Sequence, residues 1–305
     1  MLEKDLRPYL KDCLETIRAE YYSSPLQGLL RSLRGRIVIP TGGGKTAVEA
    51  IFLRDMINKD GHDIHIVLAP RIALLNQLIR DYRNCAGQQY LAVAFHSGKT
   101  EPDYGKGKIK WAEKAVMSVE DIKSEFARAK RMDKDLVVFS TYHSVNRLLD
   151  LEFDTLIADE SQYCVAENWH ETVKSINAHV KLFFTATEKW TYNSNGRGLN
   201  NESVFGKRLY EILPQDLIDK GYIVPPRLHV IYGDASTNKN PVIDECIRIA
   251  KYQNKHTKKT LPFSKILFAM NGTKDVITVS QNVQAFKKVL PNHKIFTIIS
   301  NSKFG

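Results

Sequence analysis

The stretch Pro40-Thr41-Gly42-Gly43-Gly44-Lys45-Thr46 limits what this chain can fold into more than any other. It follows a short β-branched run, Ile37-Val38-Ile39, and it precedes Lys45 to Met56, which reads as a helix. Strand, glycine loop and helix, in that order, form the setting that a phosphate-binding loop requires. Thr41, Gly42, Gly43 and Gly44 allow backbone N–H groups to turn inward and close on phosphate oxygens. The N-terminus of the following helix adds a favourable dipole. In that arrangement Lys45 reaches the β- and γ-phosphates of a nucleotide, and the Thr46 hydroxyl is placed to bind Mg²⁺. Ile39 stands where the strict G-x-x-x-x-G-K-[ST] pattern has its first glycine. The assignment therefore rests on Gly-Gly-Gly-Lys-Thr in its strand–loop–helix context.

The rest of the chain repeats that alternation. Apolar residues at Leu6, Tyr9, Leu10, Cys13, Leu14, Ile17 and Tyr21 have helical spacing. Short apolar runs at 64–68, 90–95, 136–139, 155–158 and 180–184 read as strands, and helical stretches lie between most of them. Continuous apolar strands alternating with helices predict an α/β domain whose parallel sheet is buried on both faces. Between Glu188 and Ser203 the composition turns to Asn, Gly and Ser, which predicts a mobile loop. After Pro225-Pro226 the α/β pattern restarts and then stops. The expected organisation is one nucleotide-binding domain over 1–224 and the beginning of a second α/β domain over 225–305.

A second candidate site is Asp159-Glu160-Ser161-Gln162, directly after the apolar run that ends at Ala158. In open parallel sheets, ligands bind at the carboxyl ends of the strands. Asp159 is placed there to hold Mg²⁺, and Glu160 to act as general base on water. An Asp-Glu pair after a strand is, alone, most often a solvated turn. Together with the phosphate loop, it reads as the second half of a nucleotide-hydrolysing site.

Charge narrows the partner. Lys+Arg 44 against Asp+Glu 34 leaves a net charge of +10, which suits a polyanion, nucleic acid first. Four cysteines lie far apart without a C-x-x-C pair, which fits a reducing cytoplasm and gives no zinc-site spacing. No apolar run approaches the roughly 20 residues of a membrane helix, and the charged N-terminus lacks a signal peptide's apolar core. The basic runs around Trp111 (Lys106, Lys108, Lys110, Lys114) and from Lys251 to Lys259 read first as solvated charge.

Taken together, these segments resemble superfamily 2 DExx-box helicases and translocases. The phosphate loop resembles motif I, and Asp159-Glu160-Ser161-Gln162 resembles motif II. Thr185-Ala186-Thr187 resembles motif III, Ala69-Pro70-Arg71 motif Ia, and Ser140-Thr141-Tyr142 the later nucleic-acid-contacting motif of the first RecA-like domain. Leu6-Arg7-Pro8-Tyr9 resembles the family's adenine-contacting segment. Val204-Phe205-Gly206, Tyr210 and Leu217 to Pro226 resemble the joining stretch of the branch that holds type I and type III restriction-enzyme motor subunits. Lys265-Ile266-Leu267-Phe268 resembles motif IV.

The resemblance implies two RecA-like lobes, ATP and Mg²⁺ as cofactors, and ATP hydrolysis coupled to movement along nucleic acid, with DNA favoured over RNA. It implies nucleic-acid or coupling contacts at Arg71, Thr141, Tyr142, Thr185 and Thr187, and an ATP contact at Arg7. Tyr142 has two readings of equal weight, a ring that stacks on a base or a packed rim tyrosine. Three departures follow. Leu10 stands where the family usually has an adenine-reading glutamine, so base contacts fall to groups such as Arg7 and backbone. Motif II ends in Ser-Gln, which matches neither the DEAD nor the DEAH form. The sequence reaches its last residue before motifs V and VI, and so lacks the arginine finger worth about 10³–10⁵ in rate. The chain alone is therefore expected to bind ATP and hydrolyse it poorly, with a partner subunit or a further C-terminal lobe completing the site. The alternative from another class is a nucleotide-dependent nucleic-acid-binding module without turnover.

Overall fold

A computed structural model describes residues 3–27, 30–57, 62–87, 89–96, 114–116, 118–192 and 196–225. The chain divides into two compact units, Met1–Pro225 and Pro226–Gly305. The second unit lies outside the described residues, and with it the motif IV resemblance and the basic run from Lys251. The lysines at 106, 108 and 110 and Trp111 lie outside them too.

The first unit begins with helix α1 (Pro8–Ser23), then a two-stranded antiparallel ribbon of β1 (Leu26–Gln27) and β2 (Leu30–Arg31). Strand β3 (Leu33–Val38) leads through the glycine loop into α2 (Lys45–Met56). There follow β4 (Ile64–Ala69), α3 (Ile72–Ala86), β5 (Tyr90–Phe95), β6 (Lys114–Val116), α4 (Val119–Arg131), β7 (Asp135–Thr141) and β8 (Glu152–Ala158). The unit closes with α5 (Glu167–Ser175), β9 (Asn177–Thr185), a single turn α6 (Glu202–Phe205), β10 (Lys207–Glu211) and α7 (Pro214–Asp219).

Eight of these strands form one sheet in the order β10-β3-β9-β8-β4-β7-β5-β6, and every pairing is parallel. Parallel strands require crossovers, and the helices supply them by covering both faces. On one face α1, α2 and α3 bury Leu14, Ile17, Val48, Ile51, Phe52, Leu75 and Tyr82 against Ile37, Phe139, Leu182 and Phe184. On the other, Ile122, Leu148, Val173, Leu199 and Phe205 pack on Val93, Val138, Phe153 and Phe183. Each such side chain contributes roughly 1.5–3 kcal/mol by leaving water. The α/β fold expected from the alternation is the fold observed.

Local chemistry sets the element ends. Ser118 and Asp121 form a reciprocal capping box at the start of α4, with the Asp121 N–H donating to Ser118 Oγ at 3.0 Å. Pro8 occupies the first turn of α1, where a missing N–H costs nothing. Strand β10 was not apparent from the sequence. Its pattern Lys207-Arg208-Leu209-Tyr210-Glu211 is polar because it lies at the sheet edge, beside β3.

The stretch after β9 departs from the expected mobile loop. Among its described residues, Leu199 is fully buried, and the Leu199 N–H donates to the Lys189 carbonyl at 2.8 Å. Asn200 clasps Thr191 from both sides: its Oδ1 accepts from the Thr191 N–H and its Nδ2 donates to the Thr191 carbonyl, each at 3.0 Å. Asparagine and glycine here serve as backbone fasteners, which composition alone cannot separate from flexibility. A buried ion pair anchors the same stretch to β3. Arg36 Nη1 lies 2.8 Å from Glu188 Oε1 with side chains 5% and 6% exposed, and Arg36 Nε donates to the Gly206 carbonyl at 3.0 Å. Replacing one partner leaves the other with only a longer ion pair, Arg36 Nη2 to Glu202 Oε1 at 3.4 Å or Glu188 Oε2 to Arg208 Nε at 3.7 Å. Arg36→Met and Glu188→Leu should each destabilise by about 1–3 kcal/mol, and the double variant by clearly less than their sum, measured by urea unfolding.

Candidate nucleotide-binding site

The glycine loop joins β3 to α2 at the carboxyl edge of the sheet. The Gly43 N–H closes a turn on the Pro40 carbonyl at 2.8 Å. Gly44, the residue before the first turn of α2, has φ +95°, and a Cβ there would come 2.8 Å from Leu10 Cδ1. Only glycine accepts both the backbone conformation and that approach. Helix α1 backs the loop: the Tyr9 hydroxyl donates to the Gly43 carbonyl at 2.6 Å, and Leu10 packs its buried side chain on Gly44. Where the resemblance led one to look for an amide, the structure has an apolar contact. Arg7 is exposed and donates to Tyr9 Oη at 3.2 Å, with its guanidinium 5.2 Å from the Tyr222 ring. The joining stretch therefore meets Tyr9, which itself holds the loop, through the Tyr222 ring and through Tyr210, whose hydroxyl donates to the Tyr9 carbonyl at 2.9 Å.

Beside the loop, one ammonium meets three carboxyl groups. Lys45 is 8% exposed, with Nζ 3.4 Å from the Ile39 carbonyl and 3.9 Å from Glu160 Oε1. Asp159 is buried, and its Oδ1 accepts the Glu160 N–H at 2.9 Å. Burial first, and then the Glu160 charge, push the Asp159 carboxyl up to about 6. Glu160 itself has φ +52°, a left-handed conformation for a non-glycine residue, which turns its side chain back toward Lys45.

The third acid, Glu49, was not singled out from the sequence. It is fully buried one turn beyond Lys45 on α2, and Tyr82 of α3 donates to its Oε2 at 3.2 Å. Burial and the neighbouring Asp159 raise the Glu49 carboxyl well above its ordinary range. The signal was present: Glu49 is the single acid inside the apolar run from Ala47 to Leu53, four residues after Lys45 and so on the same helix face.

Gln162 extends the cluster. Its Nε2 donates to Glu160 Oε2 at 2.7 Å, and its Oε1 accepts from the Thr185 hydroxyl at 2.6 Å. Thr185 Oγ1 in turn accepts the Thr187 N–H at 3.1 Å. Strand order makes this link: β9, which ends in Thr185, lies between β3 and β8. A continuous path thus runs from Lys45 through Glu160 and Gln162 to Thr185 and Thr187.

The chain matches the model of the family described as "Type III restriction enzyme, res subunit" over residues 3–189, more than half its length. The chain belongs to that family. No curated protein matches it. Among solved structures it is similar to the ATP-dependent Type ISP restriction-modification enzyme LlaBIII bound to DNA, with TM-score 0.66, 18% identity, and coverage of 94% of this chain and 21% of that one. It is also similar to a nuclease-deletion mutant of the Type ISP enzyme LlaGI in complex with a DNA substrate mimic, with TM-score 0.56, 19% identity, and coverage of 85% and 23%. At these identities the likeness concerns the fold. The chain spans less than a quarter of the length of either enzyme. Family and fold together place it on the restriction-enzyme branch of the superfamily 2 DExx-box proteins, with a RecA-like first unit.

In this res-subunit family member, the remaining residues singled out from the sequence divide by exposure. Thr46 is half-buried in the first turn of α2, and Thr41 and Gly42 are exposed on the loop. Arg71 is exposed immediately before α3, and Thr187 is exposed after β9. Thr141, Tyr142 and Thr185 are buried. Of the two readings of Tyr142, base stacking or a packed rim residue, the structure has the packed one: the ring is 1% exposed, its hydroxyl donates to the Asp159 carbonyl at 2.7 Å, and it stacks on Trp169. Tyr142 supports Asp159 from behind. Among the described residues, no group of three or more His, Cys, Asp or Glu side chains could hold a metal by itself. The donors at the loop still suit Mg²⁺, which takes one or two protein oxygens and completes its shell with phosphate and water. Burying Asp159 and Glu49 so close together leaves a cost that a divalent cation would relieve. Among these residues no helix is long and apolar enough to cross a membrane.

The raised Asp159 carboxyl has a stability consequence. Its folded value of about 6 lies above the reference value of 3.8, so the folded state binds the proton more tightly and stability falls as pH rises through that window. Asp159→Asn removes the penalty. Without nucleotide, the variant should be more stable than the parent by about 1–3 kcal/mol at pH 7, a gain that shrinks toward zero near pH 4. Urea unfolding across that pH range measures it.

Proposed function

We propose that this chain carries the nucleotide-driven part of a DNA motor, in which ATP hydrolysis is coupled to movement along the strand. The observation that carries the reading is the approach of Lys45 Nζ to Glu160 Oε1, 3.9 Å, at the mouth of a glycine loop. A phosphate-binding ammonium and a water-activating carboxylate stand within one small, partly closed space. The two structurally similar enzymes are described with DNA, and the joining stretch resembles that of restriction-enzyme motors; both support DNA over RNA.

In this reading the N–H groups of Gly42 to Thr46 hold the β-phosphate, and Lys45 leaves Glu160 to pair with the γ-phosphate. Thr46 and Asp159 hold Mg²⁺, which when bound neutralises charge developing on the phosphates. Glu160 orients a water and takes its proton, and Gln162 fixes Glu160 by its second oxygen. Because Gln162 also holds Thr185, movement of Glu160 on hydrolysis is felt at Thr187, where nucleic acid would pass. Arg7 and Tyr222 hold the base side of the nucleotide. Arg71 and Thr187 supply phosphate contacts from the same sheet edge. On sequence pattern alone, residues 225–305 are assigned to a second RecA-like domain.

The test is ATP turnover with and without single- and double-stranded DNA and RNA at low salt. DNA should stimulate turnover, and affinity should fall steeply with salt. Lys45→Ala should abolish ATP binding. Glu160→Gln should retain binding and lose turnover by about 10²–10⁴-fold. Normal ATP binding by Lys45→Ala would overturn the assignment of the loop. Tight nucleotide binding without turnover under every condition would instead identify a switchable nucleic-acid-binding module.

A further inference from the structure

Two large aromatic side chains lie on the surface just beyond Thr187. Trp190 is 47% exposed and Tyr192 85%, and their rings meet edge to face with centroids 6.3 Å apart. Exposed aromatics on a frayed loop would carry no meaning, but the backbone at 189–191 is fixed by hydrogen bonds. Lys189 and Thr191, the residues flanking Trp190, are each hydrogen-bonded to the 198–200 turn, and Thr191 Oγ1 also accepts the Gly198 N–H at 2.6 Å. The Trp190 indole N–H donates to Glu188 Oε2 at 3.0 Å, and Glu188 is the buried partner of Arg36. The ring is thus oriented by its polar atom and offers its apolar surface outward. A pair of exposed aromatic rings held in place at the surface is costly unless something covers it.

The surroundings indicate a polyanion. Arg208 lies 5.9 Å from the Trp190 ring, while sharing its charge with Glu188 and Glu211. Lys189 is exposed, 5.8 Å from the Tyr163 ring, and among the described residues it has no carboxylate partner. Planar rings interleaved with cations match the chemistry of a single strand, whose bases offer π-faces and whose backbone offers phosphates. Protein segments offer neither in regular alternation, and a paired duplex hides its base faces.

We infer that Trp190 and Tyr192 form a base-stacking platform for single-stranded nucleic acid. The platform is joined to the nucleotide site by covalent continuity through Glu188 to Thr187, and from there by Thr185, Gln162 and Glu160 to Lys45. It takes over the stacking role that the buried Tyr142 does not fill. The inference rests on the proposed nucleic-acid motor.

The test uses the full chain and an oligo-dT strand of about a dozen nucleotides, followed by tryptophan fluorescence and by anisotropy of a labelled strand. The chain has three tryptophans, so Trp190→Phe isolates the signal. Wild type should show quenching on binding, and Trp190→Phe should bind while losing most of it. Tyr192→Ala, so exposed that its fold is safe, should weaken the strand by about tenfold and leave binding of a fluorescent ATP analogue unchanged. A duplex of equal length should quench less than the single strand. The inference is overturned if quenching persists in Trp190→Phe, if Tyr192→Ala binds like wild type, or if only the duplex quenches. Absence of any nucleic-acid binding by the wild type, with ATP binding intact, would remove both this platform and the motor reading. Retained strand binding with wild-type affinity in Tyr192→Ala would remove the platform alone.

Discussion

The carboxyl edge of the sheet is organised around one ammonium and three carboxyl groups, of which Asp159 and Glu49 are buried and Glu160 is half-buried. Lys45 cannot neutralise Asp159, Glu160 and Glu49 together, and burial makes the excess negative charge expensive. The protein meets that cost by holding acids toward their protonated forms and by packing Tyr82 and Tyr142 against them. The rest of the architecture exists to keep these groups in place. The parallel sheet brings β3, β8 and β9 to one edge, and α1 and the joining stretch clamp the glycine loop from outside. A site poised this way gains most from a ligand that brings phosphates together with a divalent cation.

In the proposed motor, the same arrangement offers a hydrogen-bonded route from the nucleotide site to Thr187. Gln162 holds Glu160 with one end of its amide and Thr185 with the other. Any change in what Lys45 and Glu160 face alters a hydrogen-bond chain that ends on exposed backbone at Thr187. Beyond that point the chain remains stiff because Arg36, Glu188 and Asn200 fasten it to β3 and to the 198–200 turn. Stiffness there is what allows a small displacement to be transmitted.

Much of this was legible before the fold was seen. The loop at 40–46, the helix over Lys45–Met56 and the strand over Tyr90–Phe95 are local features, and local composition is enough to read them. The acids at 159 and 160 could be read because they end an apolar run. What was hidden depended on tertiary neighbours. Glu49 looks like one more helix residue until β8 places Asp159 beside it. The sequence position of Tyr142 suits a base-stacking ring and a packed rim residue equally, and Trp169 on α5 with the Asp159 carbonyl takes it inward. The Asn- and Gly-rich segment reads as flexible, since composition does not show which carbonyl an asparagine will hold. Leu10 is visible as a departure from the resemblance, and the structure supplies its reason, an apolar seat on Gly44.

The central proposal is that magnesium–ATP assembles on Lys45, Thr46 and Asp159 beside Glu160. The most direct measurement is the number of protons exchanged on binding, obtained by titration calorimetry in buffers of different ionisation enthalpy. With the Asp159 carboxyl near 6 in the free protein, binding at pH 6 should release protons as the cation enforces the charged form. Release from Asp159 should fade by about pH 8 and be absent at both pH values in Asp159→Asn at ligand concentrations that still saturate it. Binding whose proton count is the same at both pH values, or the same in that variant, would contradict the account.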